Sequence, residues 1–487
     1  MSRNKLFKYI YFSIIMAIAL LLRLYFFNSS PLDHSDASAR LWMAQEWGRG
    51  FFQIKSGAWL PFHFYILGNV ISFFGNPLIT GRIVTIIFSV ATLLPLYLIV
   101  DMLNLSKQNK FISIFIYTIS MYVILLSVQP FSESVFVFFI LFSFYFYLKY
   151  MSCGFKYGKW FLLTVIFLNL ASGIRYEAWL FTLFLFSVIL FKKKYIEALI
   201  FLASSYLFPL SWIRSNCIYS TGCFSFFQVN IDTATYYRKL FDISFWKVLL
   251  WISLTIVKLL GFYTIPLYIL GFIIFLKTRK YFFLLAVGFI PCLLFLQIFF
   301  GSMEWLPNRY LVLFYVLSIP LYSEALILLW KLSKYHKLIF ITLTMLTLNA
   351  FYLRFSLSMP YPENRLKDFP TEEIEIINWI KNRTDSDLKL LIEEGDLWRG
   401  ERIAVYTGLN KREVQVVDNL KLAKYQFKYI HPENFSYLIA TDTKGSGLQK
   451  TLGTQIGNCD FIQKKDYSLQ CIYKNRLFKI YEVIRKK

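Results

Sequence analysis

Two carboxylates stand just after the first long apolar run, in Pro31-Leu32-Asp33-His34-Ser35-Asp36-Ala37-Ser38-Ala39-Arg40-Leu41-Trp42-Met43-Ala44-Gln45-Glu46-Trp47. If Asp33 or Ser35 caps a helix, Asp33 and Asp36 share a face and Arg40 follows Asp36 by one turn. The plainer reading is a helix start, with Asp33 as N-cap and Asp36 in the first turn, where negative charge suits the macrodipole. The alternative is chemical, because charge at a lipid-water boundary is costly enough that a paired or functional role is the default. The same holds for His63, Arg82, Glu133, Arg175, Glu177, Lys258, Glu304 and Arg309, all near the ends of apolar runs.

Each of these groups has a plain alternative. Arg82 would anchor the start of its helix, His63 would pack, Glu133 would serve as a first-turn carboxylate, and Arg175 with Glu177 would form a structural ion pair. A five-residue turn between two apolar runs needs no such pair, however, and this favours function for Arg175 and Glu177. Lys258 lies about ten residues into the run 248–276, too deep to reach the interface easily unless that run begins as an interfacial helix, and a lysine facing a cavity suits a phosphate. Arg309 opens a helix, where its guanidinium and the free N–H groups make an anion site. The set describes a carboxylate with several cations. A carboxylate can deprotonate an acceptor hydroxyl while cations stabilise a departing phosphate, the pairing needed to displace a sugar from a lipid-linked phosphate.

The elements that must position these groups are membrane helices. The chain has 487 residues, is 57% hydrophobic, and carries 52 Phe, 33 Tyr and 12 Trp. Its mean hydropathy of +0.51 exceeds what a soluble domain can hide, so the sequence is that of a polytopic α-helical membrane protein. The net charge of +23 does not point to nucleic acid, because the basic residues punctuate apolar runs and act as topology determinants. Six cysteines without a C-x-x-C, and four histidines, leave no zinc signature. Cys217 with Cys223, and Cys459 with Cys471, are spaced for local disulfides. The first apolar stretch has no small-residue cleavage site and reads as an uncleaved helix.

Runs at about 9–27, 83–103, 111–128, 134–150, 160–174, 178–191, 195–213, 248–276, 281–300, 310–330 and 338–356 make about eleven transmembrane helices. The run Trp59 to Phe74 decides the topology. If it does not cross, the lysine-rich loops after Met102, Lys149, Phe191, Lys277 and Trp330 share the cytoplasmic side with Arg3, Lys5 and Lys8. It therefore lies along the outer face, inside a first external loop at about 28–82. Residues 1–356 form the transmembrane catalytic domain, and residues 357–487 a soluble external domain of α/β or α+β type. In the latter, Thr371 to Ile380 reads as a capped amphipathic helix, with Ile376, Ile377 and Ile380 on one face. Leu388–Ile392, Val414–Val417, Tyr437–Ala440, Ser468–Tyr473 and Phe478–Val483 read as strands.

The arrangement resembles the GT-C superfamily of lipid-linked-sugar glycosyltransferases, especially the branch of protein O-mannosyltransferases and the lipid A aminoarabinose transferase. The residues that carry the resemblance are Asp33-His34-Ser35-Asp36 with the following Ala37 to Ala44, the proline-aromatic run Trp59 to Gly68, and Gly81-Arg82-Ile83-Val84. Ala37 follows Asp36 where the family has an adjacent acidic pair, and Leu60 precedes Pro61 where aminoarabinose transferases have lysine. The resemblance implies a membrane glycosyltransferase, a hexosyl- or pentosyltransferase, with Asp36 as the catalytic acidic residue. Asp33, Arg40, His63, Arg82, Glu133, Arg175, Glu177, Lys258 and Arg309 are then expected to bind substrate, with no metal ligand among them.

The expected partners are a polyprenyl-phosphate-linked sugar donor, a lipid, glycan or protein acceptor, and membrane lipids, with no nucleic acid. No cofactor is expected, although the oligosaccharyltransferase-like branch of the family uses a divalent cation. The alternatives are a transporter or flippase for a lipid-linked saccharide, or a noncatalytic subunit that binds one. A transporter would show paired halves and inner-face polar residues, whereas the acids singled out here lie at the outer edge. A reporter fused after Lys487 is expected to be active only in the external compartment, because an odd number of crossings follows a cytoplasmic N-terminus. Cytoplasmic activity would mean that Trp59 to Phe74 crosses.

Overall fold

The computed structural model describes residues 3–29, 35–47, 59–219, 222–228, 231, 245–261, 264–299, 308–332, 371–383, 388–393, 399–409, 413–417, 434–441, 461–463 and 467–485. The expected span 338–356, Asp33, Glu304 and Cys459 lie outside them. The chain forms two compact units. The first comprises Met1–Ser30, Phe52–His63 and Ile83–Pro362, and the second Pro31–Phe51, Phe64–Arg82 and Glu363–Lys487. The stretch with Asp36 therefore belongs to the same unit as the C-terminal residues.

The first unit is helical, as expected of a polytopic membrane protein. Four helical segments among the described residues are long and apolar enough to cross a membrane, and up to seven if each bent pair counts as one span. α1 (Arg3–Ser29) buries Ile15, Ala19 and Arg23 at i, i+4 and i+8. Arg23 is fully buried; it donates to Ser89 Oγ and to the Ala19 carbonyl, both at 3.0 Å, and lies 5.7 Å from the Tyr117 ring. A charge at this depth persists because hydroxyl, carbonyl and ring replace its hydration.

α2 (Ser35–Trp47) and α3 (Phe62–Phe74) follow, and then α4 (Pro77–Ala91) with α5 (Leu93–Met102). The turn between α3 and α4 is encoded in Gly75-Asn76-Pro77. Gly75 takes φ +68°, Asn76 accepts the Ile79 N–H at 3.2 Å, and proline opens the next helix. This early start corrects the expected 83–103 boundary. Arg82 lies inside α4, buried, rather than at its first residue.

Several expected spans are bent. α6 (Lys107–Ile119) and α7 (Met121–Ser127) meet at 54° around Ser120, whose side chain caps α7 and donates to Tyr315 at 2.9 Å. α8 (Ser132–Ser152), α9 (Lys159–Ser172) and α10 (Glu177–Phe191) lead to α11 (Tyr195–Ser205) and α12 (Leu207–Tyr219), which meet at 45°. The single run expected at 248–276 is instead two helices, α13 (Phe245–Leu260) and α14 (Ile265–Lys277). Gly261, at φ +84°, ends the first, since only glycine takes that conformation without strain. α15 (Tyr281–Phe299), a 3₁₀ turn (Asn308–Leu311) and α16 (Val312–Leu332) complete the described bundle.

α16 is tied to α6 by a polar cluster. Asn109 Nδ2 donates to Glu324 Oε2 at 2.6 Å, Ser113 and Ser323 share a hydrogen bond at 2.7 Å, and Ser323 also donates to Asn109 Oδ1 at 3.0 Å. Glu324 sits toward the Lys331 end of α16, away from Arg309. Between α14 and α16 the helices approach so closely that a Cβ at Gly271 would collide with the Leu321 carbonyl.

In the second unit the C-terminal chain forms a six-stranded sheet of order β2-β1-β3-β6-β5-β4. The strands are β1 (Leu390–Glu393), β2 (Val414–Val417), β3 (Tyr437–Thr441), β4 (Phe461–Gln463), β5 (Tyr467–Lys474) and β6 (Phe478–Arg485). The first three are mutually parallel and the last three pair antiparallel, so the domain is mixed α/β. α17 (Thr371–Lys381) buries Ile376, Ile377 and Ile380, the face anticipated from their spacing. α18 (Arg399–Thr407) and β4 were not anticipated. One is a nine-residue helix with a glycine in its first turn, and the other a three-residue edge strand.

Gly271→Ala is expected to lower thermal stability in detergent by about 1–3 kcal/mol, the usual cost of overpacking. A melting curve matching that of the parent would show that α14 and α16 separate freely.

Candidate functional site

The first unit brings four of the expected residues together. Glu133 lies in the first turn of α8, Arg175 in the turn between α9 and α10, Glu177 at the start of α10, and Arg309 in the 3₁₀ turn before α16. Arg175 is the hub. Its Nη1 donates to Glu133 Oε1 at 2.7 Å, and its Nη2 and Nε donate to Glu177 Oε1 at 2.6 and 3.0 Å. A longer bond of 3.4 Å reaches Ser132 Oγ. Arg309 Nε lies 3.4 Å from the same Glu133 oxygen.

The site is dry. Side-chain exposure is 2% for Glu133, 8% for Glu177, 10% for Arg175 and 11% for Arg309. Aromatic faces complete it. Arg175 lies 4.5 Å from the Tyr310 ring, and Arg309 lies 4.7 Å from Phe131 and 5.4 Å from Tyr310. Tyr122, in the first turn of α7, is within electrostatic reach of Glu133, Arg175 and Arg309. Burial pulls the Arg175 pKa down, but Glu177 and Glu133 more than offset it and hold the group above the usual arginine value. Two buried glutamates thus remain balanced by two guanidinium groups.

The turn is built to present Arg175. Gly173 accepts a hydrogen bond from the Phe62 N–H at 2.9 Å, and a Cβ at Gly173 would press on Phe62 and Phe208. This seats the start of α3 on the α9–α10 turn and places fully buried His63 beside it in sequence. The sequence did not single out Tyr122, Phe131 or Tyr310. The one available signal was Tyr310 following Arg309 directly, and aromatic residues are too common in this chain for that to count.

Other expected residues lie elsewhere. Asp36 is half-buried in the first turn of α2, in the second unit. Arg40, on the same helix, is buried with its guanidinium 5.8 Å from the Phe64 ring. Asp33 falls outside the described residues. Lys258 sits in the last turn of its helix, which ends at Leu260, and its side chain is exposed. That helix does pack against the 3₁₀ turn carrying Arg309. Among the described residues no three His, Cys, Asp or Glu side chains gather as a metal site would require.

No protein-family model matches the sequence, and no curated protein does. Solved structures do match in fold. ArnT from Cupriavidus metallidurans bound to undecaprenyl phosphate aligns with a TM-score of 0.58 at 10% identity, over 96% of this chain and 97% of that one. The apo state of the same protein gives 0.57 at 9% identity, over 99% and 98%. The archaeal oligosaccharyltransferase AglB from Archaeoglobus fulgidus, in complex with an inhibitory peptide and a dolichol-phosphate, gives 0.49 at 12% identity, over 90% and 70%. The likeness is one of fold, and with the ArnT structures it runs along nearly the whole chain.

Arg175→Ala leaves two buried carboxylates without their main counter-charge and is expected to cost about 3–5 kcal/mol. A denaturation curve in detergent that matches the parent's would show that Arg175 does not hold the cluster together.

Proposed function

We propose that this protein is a membrane glycosyltransferase that moves one sugar from a polyprenyl-phosphate carrier to a hydroxyl on a lipid, glycan or protein acceptor at the external face. The reaction is a single inverting displacement. A carboxylate oxygen of Asp36 takes the acceptor hydroxyl proton, the hydroxyl oxygen bonds to the anomeric carbon, and the bond from that carbon to the phosphate oxygen breaks. Charge then develops on the departing polyprenyl phosphate, and cations nearby lower the barrier.

The observation that carries this reading is the cluster in which two guanidinium groups, Arg175 and Arg309, meet the shared Glu133 carboxylate at 2.7 and 3.4 Å, in a place of low exposure at the ends of apolar helices. Arg309 is assigned to the phosphate, and Arg175, with Glu133 and Glu177, to holding the seat. Lys258 is a second candidate for the phosphate, on a long exposed side chain. Arg40, His63 and Arg82, all buried, are assigned to shaping the substrate path, and Asp33 to the approach to Asp36. The fold likeness to an ArnT structure holding undecaprenyl phosphate supports a carrier of that chemistry.

Cysteine chemistry supports the orientation. Cys217 and Cys223 are joined, and Cys471 is disulfide-bonded, while Cys153, in the connection between Lys149 and Lys159, is free. Disulfides persist in oxidising compartments, which supports an external placement for residues 217–223 and for the C-terminal domain, with a cytoplasmic N-terminus. A transporter for a lipid-linked saccharide is the second reading, favoured by the Asn109–Glu324 cluster. Glu324 lies about 22 Å along the helix from Arg309 at 1.5 Å per residue.

Three variants separate the roles, with purified protein and candidate polyprenyl-phosphate sugars. Arg309→Ala is expected to weaken donor binding by about tenfold to a hundredfold, the value of one charge-assisted bond. Asp36→Asn keeps shape and capping but accepts no proton, so turnover should fall about 10²-fold or more with donor binding near normal. Asp33→Asn should be milder. Release of lipid phosphate at parental rate from Asp36→Asn would remove the base assignment, and saccharide movement without release would favour the transporter.

A further inference from the structure

We infer that the helix bearing Asp36 is held in its working position by the C-terminal domain through α18, which makes Arg402 a positioning residue for the proposed base. The inference rests on the assignment of Asp36 above. It gives the C-terminal domain a role in turnover that does not depend on the acceptor binding there.

Within the second unit, α2 packs against α18. α2 has 13 residues, a length at which an isolated helix is marginal in water. Ala37, Ser38, Ala39, Arg40, Leu41, Trp42 and Ala44 are all buried, so the helix is covered on every side over two turns. A short helix of this kind owes its existence, and the direction of its first turn, to what covers it. Asp36 sits in that first turn.

α18 is fixed from two directions. Ile403, Ala404 and Val405 are buried, and the helix packs on β1 and β2. Arg402 reaches α17 with a two-pronged bond, Nε to Glu373 Oε2 at 2.9 Å and Nη2 to Glu373 Oε1 at 2.6 Å. Glu373 is fully buried, so a weakened fork leaves a charge without its partner and loosens α18 against α17. The line of support runs from the sheet and α17, through α18, to α2 and Asp36. The phosphate-binding cation, Arg309, belongs to the first unit and is not on that line.

The test measures amide hydrogen exchange of the full chain in detergent for the parent, Arg402→Lys, Arg402→Ala and Glu375→Gln. Lysine keeps the charge of Arg402 but not its fork, so Arg402→Lys should fold even if Arg402→Ala does not. Glu375→Gln is the control, an exposed position on α17 whose contacts run to the end of β5 rather than to the Arg402–Glu373 fork. Its carboxylate accepts from the Tyr473 hydroxyl at 2.7 Å and the Asn475 amide at 3.1 Å, and these donors hold it below the usual carboxylate range. Exchange across 37–44 should accelerate about tenfold in Arg402→Lys, as expected of local opening, while peptides across 133–191 stay as in the parent. Glu375→Gln should leave 37–44 unchanged.

Faster exchange at 399–407 with no change at 37–44, or an equal rise in both variants, would overturn the inference. A second arm uses turnover: Arg402→Lys should lower kcat with the donor KM unchanged, because the donor cation lies off the line of support. A raised KM at parental kcat would also overturn it. If Asp36→Asn proves fully active, the base assignment fails, yet the exchange arm still decides whether α18 holds α2.

Discussion

Arg175 is the interaction on which the first unit's site depends. Three separate chain segments, the start of α8, the α9–α10 turn and the 3₁₀ turn before α16, are joined through Arg175 and the Glu133 carboxylate it shares with Arg309. Each group alone would be costly in a dry place, since an isolated buried ion loses far more in hydration than packing returns. Two positive and two negative groups with short bonds remove most of that penalty and fix the geometry. Arg175 bridges two carboxylates, and Arg309 meets the one of them that they share from a separate chain segment.

The same constraint explains the polar groups elsewhere in the bundle. Arg23 reaches a hydroxyl, a carbonyl and an aromatic ring, which makes it a fastener for α1, a helix that otherwise offers the bundle one narrow stripe. The Asn109, Ser113, Ser323 and Glu324 cluster fastens α16 to α6 near Pro320, and it places polar side chains far from Arg309. In hydrocarbon such groups join helices because they have few other partners. The acidic helix α2 is stabilised differently, by burial of small and apolar side chains in the second unit.

How much of this was legible depends on how local the cause is. Val414–Val417 is a strand with the bounds read from its β-branched run, and the buried isoleucine face of α17 followed from 3.6-residue spacing. The polytopic helical fold with a C-terminal mixed α/β domain was likewise legible, since hydropathy and residue periodicity act along the chain. Lys258 shows the limit. Sequence read one continuous apolar run around it, but a positive-φ glycine three residues later ends the helix, and composition does not register that break. Arg82 shows the converse, because Pro77 after Gly75-Asn76 was a local start signal that the apolar count passed over.

By itself the sequence determined the solvent and the candidate chemistry. So much apolar side chain belongs in lipid, and ionisable residues at the ends of apolar runs are costly enough to be purposeful. Only the tertiary structure decided which of them meet. Glu133, Arg175, Glu177 and Arg309 span 177 positions yet share one dry cluster, while Asp36 and Arg40 group with the C-terminal chain. The physical reason is that hydropathy and helix signals are summed over neighbours in sequence. The pairing of buried charges is settled by distances of a few ångströms between elements that packing alone brings together.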